Sequence, residues 1–130
     1  MCLVTRQRKP KILKKDLKVY KLLKEGNFSP FNSFRWNKTN LYKTMFCIQK
    51  GNGKDMCFAD GKSKDKYFSL SQCTEISEGF HACVTMERAE ELKIGVSWII
   101  CTINEFLIPK GSEVYYDCTG LVVANQMMML

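Results

Sequence analysis

Histidine is almost absent from this chain, which has one, and no two of its seven cysteines stand closer than ten residues apart. A structural zinc site draws on local ligand pairs such as Cys-x-x-Cys, so a metal is not expected. Phosphate-cradling loops of the Walker or dinucleotide type are also missing. The nearest piece, "GNGKD" at 51–55, has a lysine but lacks the flanking strand and helix and the required spacing. No apolar run reaches the roughly 18 residues of a membrane span. The best, "VSWIICTINEFLI", is broken by Asn104 and Glu105. The opening "MCLVTRQRKPKILKKD" reaches its charges too soon for the core of a signal peptide. The expectation is a cytoplasmic protein with no membrane segment, no metal and no cofactor.

What is present is average globular material. At 130 residues, with 45% hydrophobic and 25% charged residues, the chain suits one domain with one core. The cysteines are odd in number and mostly sit in apolar runs, where a reduced thiol behaves as a small hydrophobe. Charge is divided unevenly: residues 1–50 carry a net +11 and residues 51–130 a net −4, giving the total of +7. A basic half suits an anionic partner, whether a nucleotide, a nucleic acid or an acidic protein surface; it equally suits a solubilising arm.

Along the chain, residues 1–15 form a basic lead-in that Pro10 keeps from being helical. Alternation in "DLKVYKLLKE" predicts a strand from Leu17, and "LYKTMFCI" predicts another. Residues 49–66, with "GNG" and "DG" turn signals around "MCF", read as a hairpin or excursion. "YFSLSQC" and "EGFHACV" follow as strands. "TMERAEEL" is the clearest helix, spanning about 85–94, with Thr85 as cap, Glu87 in the first turn and Gly95 at the end. "VSWIICTINEFLI", β-branched and aromatic on both faces in its first half, predicts the centre of the sheet. "SEVYYD" and "LVVANQMMML" add strands. The "MMML" ending suits an adaptable apolar contact in the core or at a homo-oligomer interface, the core being the expectation. The sum is an α+β domain, mostly antiparallel sheet with about six or seven strands and one helix.

Three groups of residues are candidates for chemistry. In "EGFHACV", His81 and Cys83 share a strand face but stand roughly 6–7 Å apart, too far for a nucleophile and its base. His81 is therefore either a structural residue or a ligand contact. The loop "FSPFNSFRWNKTNLYK" interleaves Phe31, Phe34, Trp36 and Tyr42 with Arg35, Lys38 and Lys43, supplying stacking planes and positive charge for a nucleotide or single strand. The same aromatics can instead pin the loop to the core. Glu113, Tyr115 and Asp117 alternate on one strand face, either in a polar cleft or on an exposed sheet. The predicted ligand-binding set is Phe34, Arg35, Trp36, Lys38, Lys43, His81 and Tyr115.

Two resemblances rest on these stretches. "MCLVT", "VYK", "EGFHAC", "IPKGSEVYYD" and "GLVVANQ" together resemble small proteins encoded by bacterial viruses and prophages. The resemblance covers most of the chain except residues 49–66. It implies the cytoplasm of a phage-infected cell and a binding role, such as inhibiting host defence by sequestering a nucleotide signal or gripping a defence protein. The order of elements is also similar to the ADP-ribosyltransferase fold. That fold implies an Arg or His on the first strand, a Ser or Tyr before the helix and a late Glu. Here the first position falls near Tyr20 or Lys21, and "GFHAC" supplies His81 in place of Ser or Tyr. A reduced site of that kind would use His81, Glu113 and a tyrosine, Tyr20 or Tyr115.

Overall fold

A computed structural model describes residues 3–30, 34–50, 56–58, 67–69, 74–117 and 119–130. Its elements are β1 (Leu3–Thr5), β2 (Lys11–Ile12), β3 (Leu17–Leu23), β4 (Leu41–Lys43), β5 (Cys47–Lys50), β6 (Met56–Phe58) and β7 (Tyr67–Ser69). They continue with β8 (Thr74–Glu78), β9 (Phe80–Cys83), α1 (Met86–Gly95), β10 (Thr102–Ile108), β11 (Glu113–Tyr116), β12 (Leu121–Ala124) and β13 (Gln126–Met129). Eight strands form an antiparallel sheet in the order β2-β11-β12-β9-β3-β10-β13-β4, three form a second in the order β1-β8-β5, and β6 pairs with β7. The expected α+β class, mostly antiparallel with one helix, is what the described residues adopt.

The large sheet is built on β3, all seven residues of which pair with β10, from Leu17 opposite Ile108 to Leu23 opposite Thr102. Alternation sends Val19 and Leu23 to one face, where they meet Phe106, Ile108, Val114, Val122, Ala124, Met127 and Met129 in the main core. The closing methionines thus fill the core, with Met127 and Met129 buried. On the opposite face, Tyr115 and Val123 pack beneath the small sheet through Leu3 and Ile76. β12 is consequently buried on both sides, which accounts for its unbroken apolar "LVVA".

Helix α1 forms where "TMERAEEL" predicts it. Thr85 Oγ1 accepts a hydrogen bond from the Arg88 N–H at 3.2 Å, and Ala89 is the residue that the helix buries fully. Gly95 is its last residue and Val96 the C-cap. The next residues do not form the central strand that "VSWIICTINEFLI" predicts. The Val96 N–H bonds back to Leu92 and the Ile99 N–H to Val96, so local turns hold the backbone until β10 begins at Thr102. Trp98 and Ile100 are left 74% and 92% exposed.

"LYKTMFCI" likewise divides in two. β4 edges the large sheet beside β13, β5 edges the small sheet beside β8, and Thr44–Phe46 carries the chain between them. Fewer, longer strands were expected because apolar alternation runs through both pieces and does not register a change of sheet. Between β1 and β2 the Gln7 amide accepts from the Tyr116 N–H and donates to the Val114 carbonyl, standing in for a strand residue beside β11.

Gly79 joins the sheets, between β8 of the small one and β9 of the large one. Its φ is +135°, and a Cβ there would lie 2.5 Å from Val123 Cγ2 and 3.1 Å from the Phe46 ring. Strain and overpacking would act together in Gly79→Ala, which is expected to lose about 2–4 kcal/mol of stability in urea denaturation. A loss below about 0.5 kcal/mol would show that this junction is not constrained.

Candidate functional site

β9 aligns with β12 over four pairs, from Leu121 opposite Cys83 to Ala124 opposite Phe80, while β3 is committed in full to β10. Between β9 and β3 a single pair remains, Tyr20 opposite Cys83. Beyond that pair the two strands part, and a cleft of about 230 Å³ opens through the sheet. On the main-core face it is lined by Phe34, Trp36 and Phe80; on the helix face by Leu22, Leu92 and Leu121.

The aromatic wall comes from the loop that follows β3. The Lys24 N–H bonds to the Phe28 carbonyl, the Ser29 N–H to Phe34 and the Trp36 N–H to Asn27, folding the loop back on itself. Trp36, 1% exposed, donates its Nε1–H to Ser29 Oγ at 3.1 Å. Its ring meets Phe34, Phe80, Tyr42 and Phe106 edge-on at centroid distances of 4.9–5.2 Å. That edge-to-face geometry fixes ring orientation as well as burying area. The loop aromatics thus do two jobs: Trp36 is core, and it is also one wall of the cleft.

Lys21 is the group the cleft is built around. It belongs to the row Leu17, Val19, Lys21, Leu23 on the main-core face of β3, where a hydrocarbon side chain would be the rule. Its Nζ reaches across the parted strands to donate to the His81 backbone carbonyl and sits 5.5 Å from the centroid of the Trp36 ring. Among the described residues no carboxylate pairs with it; the ion pairs there are Lys18–Glu105 and Arg88–Glu91. Burial away from water, against a smaller opposing influence of the Cys83 thiol, lowers its pKa to about 8.

His81 lines the same cleft with its imidazole on the face shared by Cys83, Leu121 and Val123, as the i,i+2 reading requires. Nδ1 lies 3.1 Å from the Gly79 carbonyl, the Ile76 carbonyl also acts on the ring, and Nε2 is buried with no hydrogen bond of its own. Burial is the main cause that lowers its pKa, and the Lys21 charge adds to it. Cys83 is pushed up to about 11, chiefly by burial, and stays a protonated thiol.

The other predicted contacts lie elsewhere. Arg35 is exposed, with its guanidinium 5.9 Å from the Phe28 ring; Lys38 and Lys43 are exposed beside β13. Tyr115 is buried beneath the small sheet against Phe46, with centroids 5.1 Å apart. The row Glu113, Tyr115, Asp117 is thus neither an open polar cleft nor a bare sheet face. Of the transferase-like set, Tyr20 and His81 line the cleft, whereas β12 separates Glu113 on β11 from β9, a span of about 10 Å at normal strand spacing. The three do not converge. Lys21 is absent from the predicted ligand-binding set and enters the sequence reading only as one of two positions for the transferase-like first-strand residue, although a lysine interrupting an apolar strand row is a signal that can be read.

Among the described residues no cluster of three His, Cys, Asp or Glu side chains is placed to hold a metal, and no helix is long and apolar enough to cross a membrane. Searches against protein-family models, curated proteins and solved structures yield no match.

The Lys21 environment makes a signed prediction. Between pH 8 and 10.5 the folded chain has released a proton that the unfolded chain still binds, so this residue makes stability rise with pH across that window. Below pH 8 both states are charged and the desolvation cost is present in full. Lys21→Met should therefore be more stable than the parent at pH 7, by about 1–3 kcal/mol in chemical denaturation, with the difference shrinking towards pH 10.5. A difference that does not change with pH would refute the desolvated ammonium.

Proposed function

We propose that this protein acts by binding, and that its cleft takes a small aromatic anion of the mononucleotide class. The observation that carries this is the Lys21 ammonium: a half-buried, desolvated cation without a carboxylate among the described residues, lodged beside the Trp36 ring at an opening in the sheet. Structural lysines are normally paired or solvated, and one left unpaired at a cleft costs the fold stability that an arriving anion would restore. One ammonium proton goes to the His81 carbonyl, leaving two for a ligand. The aromatic wall offers a ring a surface to pack on.

Size narrows the class. A cleft of about 230 Å³ falls below the roughly 300–1,000 Å³ of most ligand sites, so a single base or nucleotide fits better than a dinucleotide. In the setting implied by the resemblance to phage proteins, such a site would sequester a nucleotide signal of host defence in the host cytoplasm.

A second reading, blocking a host defence protein, is favoured by a different feature. Ile94, Trp98 and Ile100 are 77%, 74% and 92% exposed within seven residues, a concentration that interface anchors favour. The basic lead-in suits nucleic acid, and that binding would weaken steeply with salt.

Thermal unfolding against a panel of nucleoside monophosphates, cyclic mononucleotides and dinucleotides tests the first reading. A mononucleotide at 100 times its dissociation constant should stabilise by roughly 2.7 kcal/mol, on the order of 10 °C for this size, and Lys21→Met should abolish the shift. Flat melting temperatures across the panel would sink it. Trp98→Ala should leave the shift unchanged.

A further inference from the structure

We infer that Lys21 is a covalent capture site, whose amine condenses reversibly with an aldehyde or ketone on a small aromatic anion held in the cleft. The inference rests on the reading of the cleft as a ligand site and adds a chemical class to it. Three features of geometry support it. The Lys21 amine lines a cavity large enough for a single ring and is held by the His81 carbonyl at a fixed position beside Trp36. Among the described residues no carboxylate locks it in the ammonium form. The walls are mostly aromatic and aliphatic, Phe34, Trp36, Phe80 and Leu22 among them, and suit the ring of such a carbonyl compound.

The step balances without any redox partner. The lone pair of the neutral amine attacks the carbonyl carbon to give a carbinolamine; the carbonyl oxygen then leaves as water, carrying the two amine hydrogens, and a C=N bond remains. Hydrolysis returns both partners. Two other titratable groups of β9, Cys83 and His81, interact electrostatically with this amine from the opposite face of the sheet. The thiol is held protonated and does not compete as a nucleophile. The imidazole is neutral and repels no proton from Lys21. With a pKa near 8, roughly a quarter of Lys21 is neutral at pH 7.5, against about one in a thousand for an ordinary lysine.

The test uses 4-formylbenzoate, a single-ring aromatic anion bearing an aldehyde, added to the full chain at pH 7.5 and trapped with borohydride. Peptide mapping by mass spectrometry is expected to find reductive alkylation at Lys21 at least tenfold faster than at any exposed lysine such as Lys18 or Lys110. The preference should vanish in urea, where all lysines become equivalent, and no adduct should form at position 21 in Lys21→Arg. Labelling of Lys21 no faster than the exposed lysines in folded protein would overturn the inference. The two readings fail separately: a nucleotide without a carbonyl that raises the melting temperature while 4-formylbenzoate leaves Lys21 unlabelled supports the binding reading and overturns this one. Selective Lys21 labelling with no nucleotide stabilisation supports capture and overturns the nucleotide assignment.

Discussion

A lysine ammonium set into the apolar row of a central strand is the constraint around which this molecule is arranged. Beside it β3 keeps one residue pair with β9, against seven with β10. With Lys21 there, the amine must find an acceptor, and it finds the His81 carbonyl across strands joined by one residue pair. The Trp36 ring supplies a second, weaker attraction from its face. Neither matches the solvation the ammonium had in water, so its pKa falls. Opening, cation and aromatic wall are thus one feature seen from three sides.

The rest of the fold makes that opening tolerable. β3 and β10 form an unbroken ladder, and β12 is covered on both faces, by the main core and by the small sheet. Gly79 lets the chain pass from one sheet to the other under Val123 and Phe46 where a side chain would collide. The seam therefore lies between two strand ladders, β3 with β10 and β9 with β12. Natural proteins often accept a stability cost where a site must hold an unmet charge, and the depressed Lys21 is a cost of this type.

What the sequence makes legible is local. Thr85 followed by Glu87 and an apolar Ala89 marks the helix because capping chemistry is decided within four residues. The start of β3 at Leu17 and the shared face of His81 and Cys83 follow from period-two alternation. Partnership is not local. "VSWIICTINEFLI" has the composition of a covered strand, yet Val96–Cys101 is spent leaving the helix, and among the described residues none covers Trp98 or Ile100. Tyr115 has the look of a polar-face tyrosine, but the small sheet that buries it is assembled from β1, β5 and β8, distant in sequence. The basic residues Arg35, Lys38 and Lys43 drew notice by density, whereas burial singles out a different lysine. Lys21 was visible as the odd member of Leu17, Val19, Lys21, Leu23; which acceptor it reaches depends on a seam no alternation encodes.

The central claim is that Lys21 is a desolvated ammonium with no carboxylate partner among the described residues, and one titration addresses it without any ligand. With lysine labelled at Cε, NMR of the native chain from pH 6 to pH 11 should show one resonance titrating near pH 8, well apart from the others, and missing in Lys21→Met. If the Lys21 resonance titrates near 10.5, the amine is solvated or paired and the account of the cleft fails.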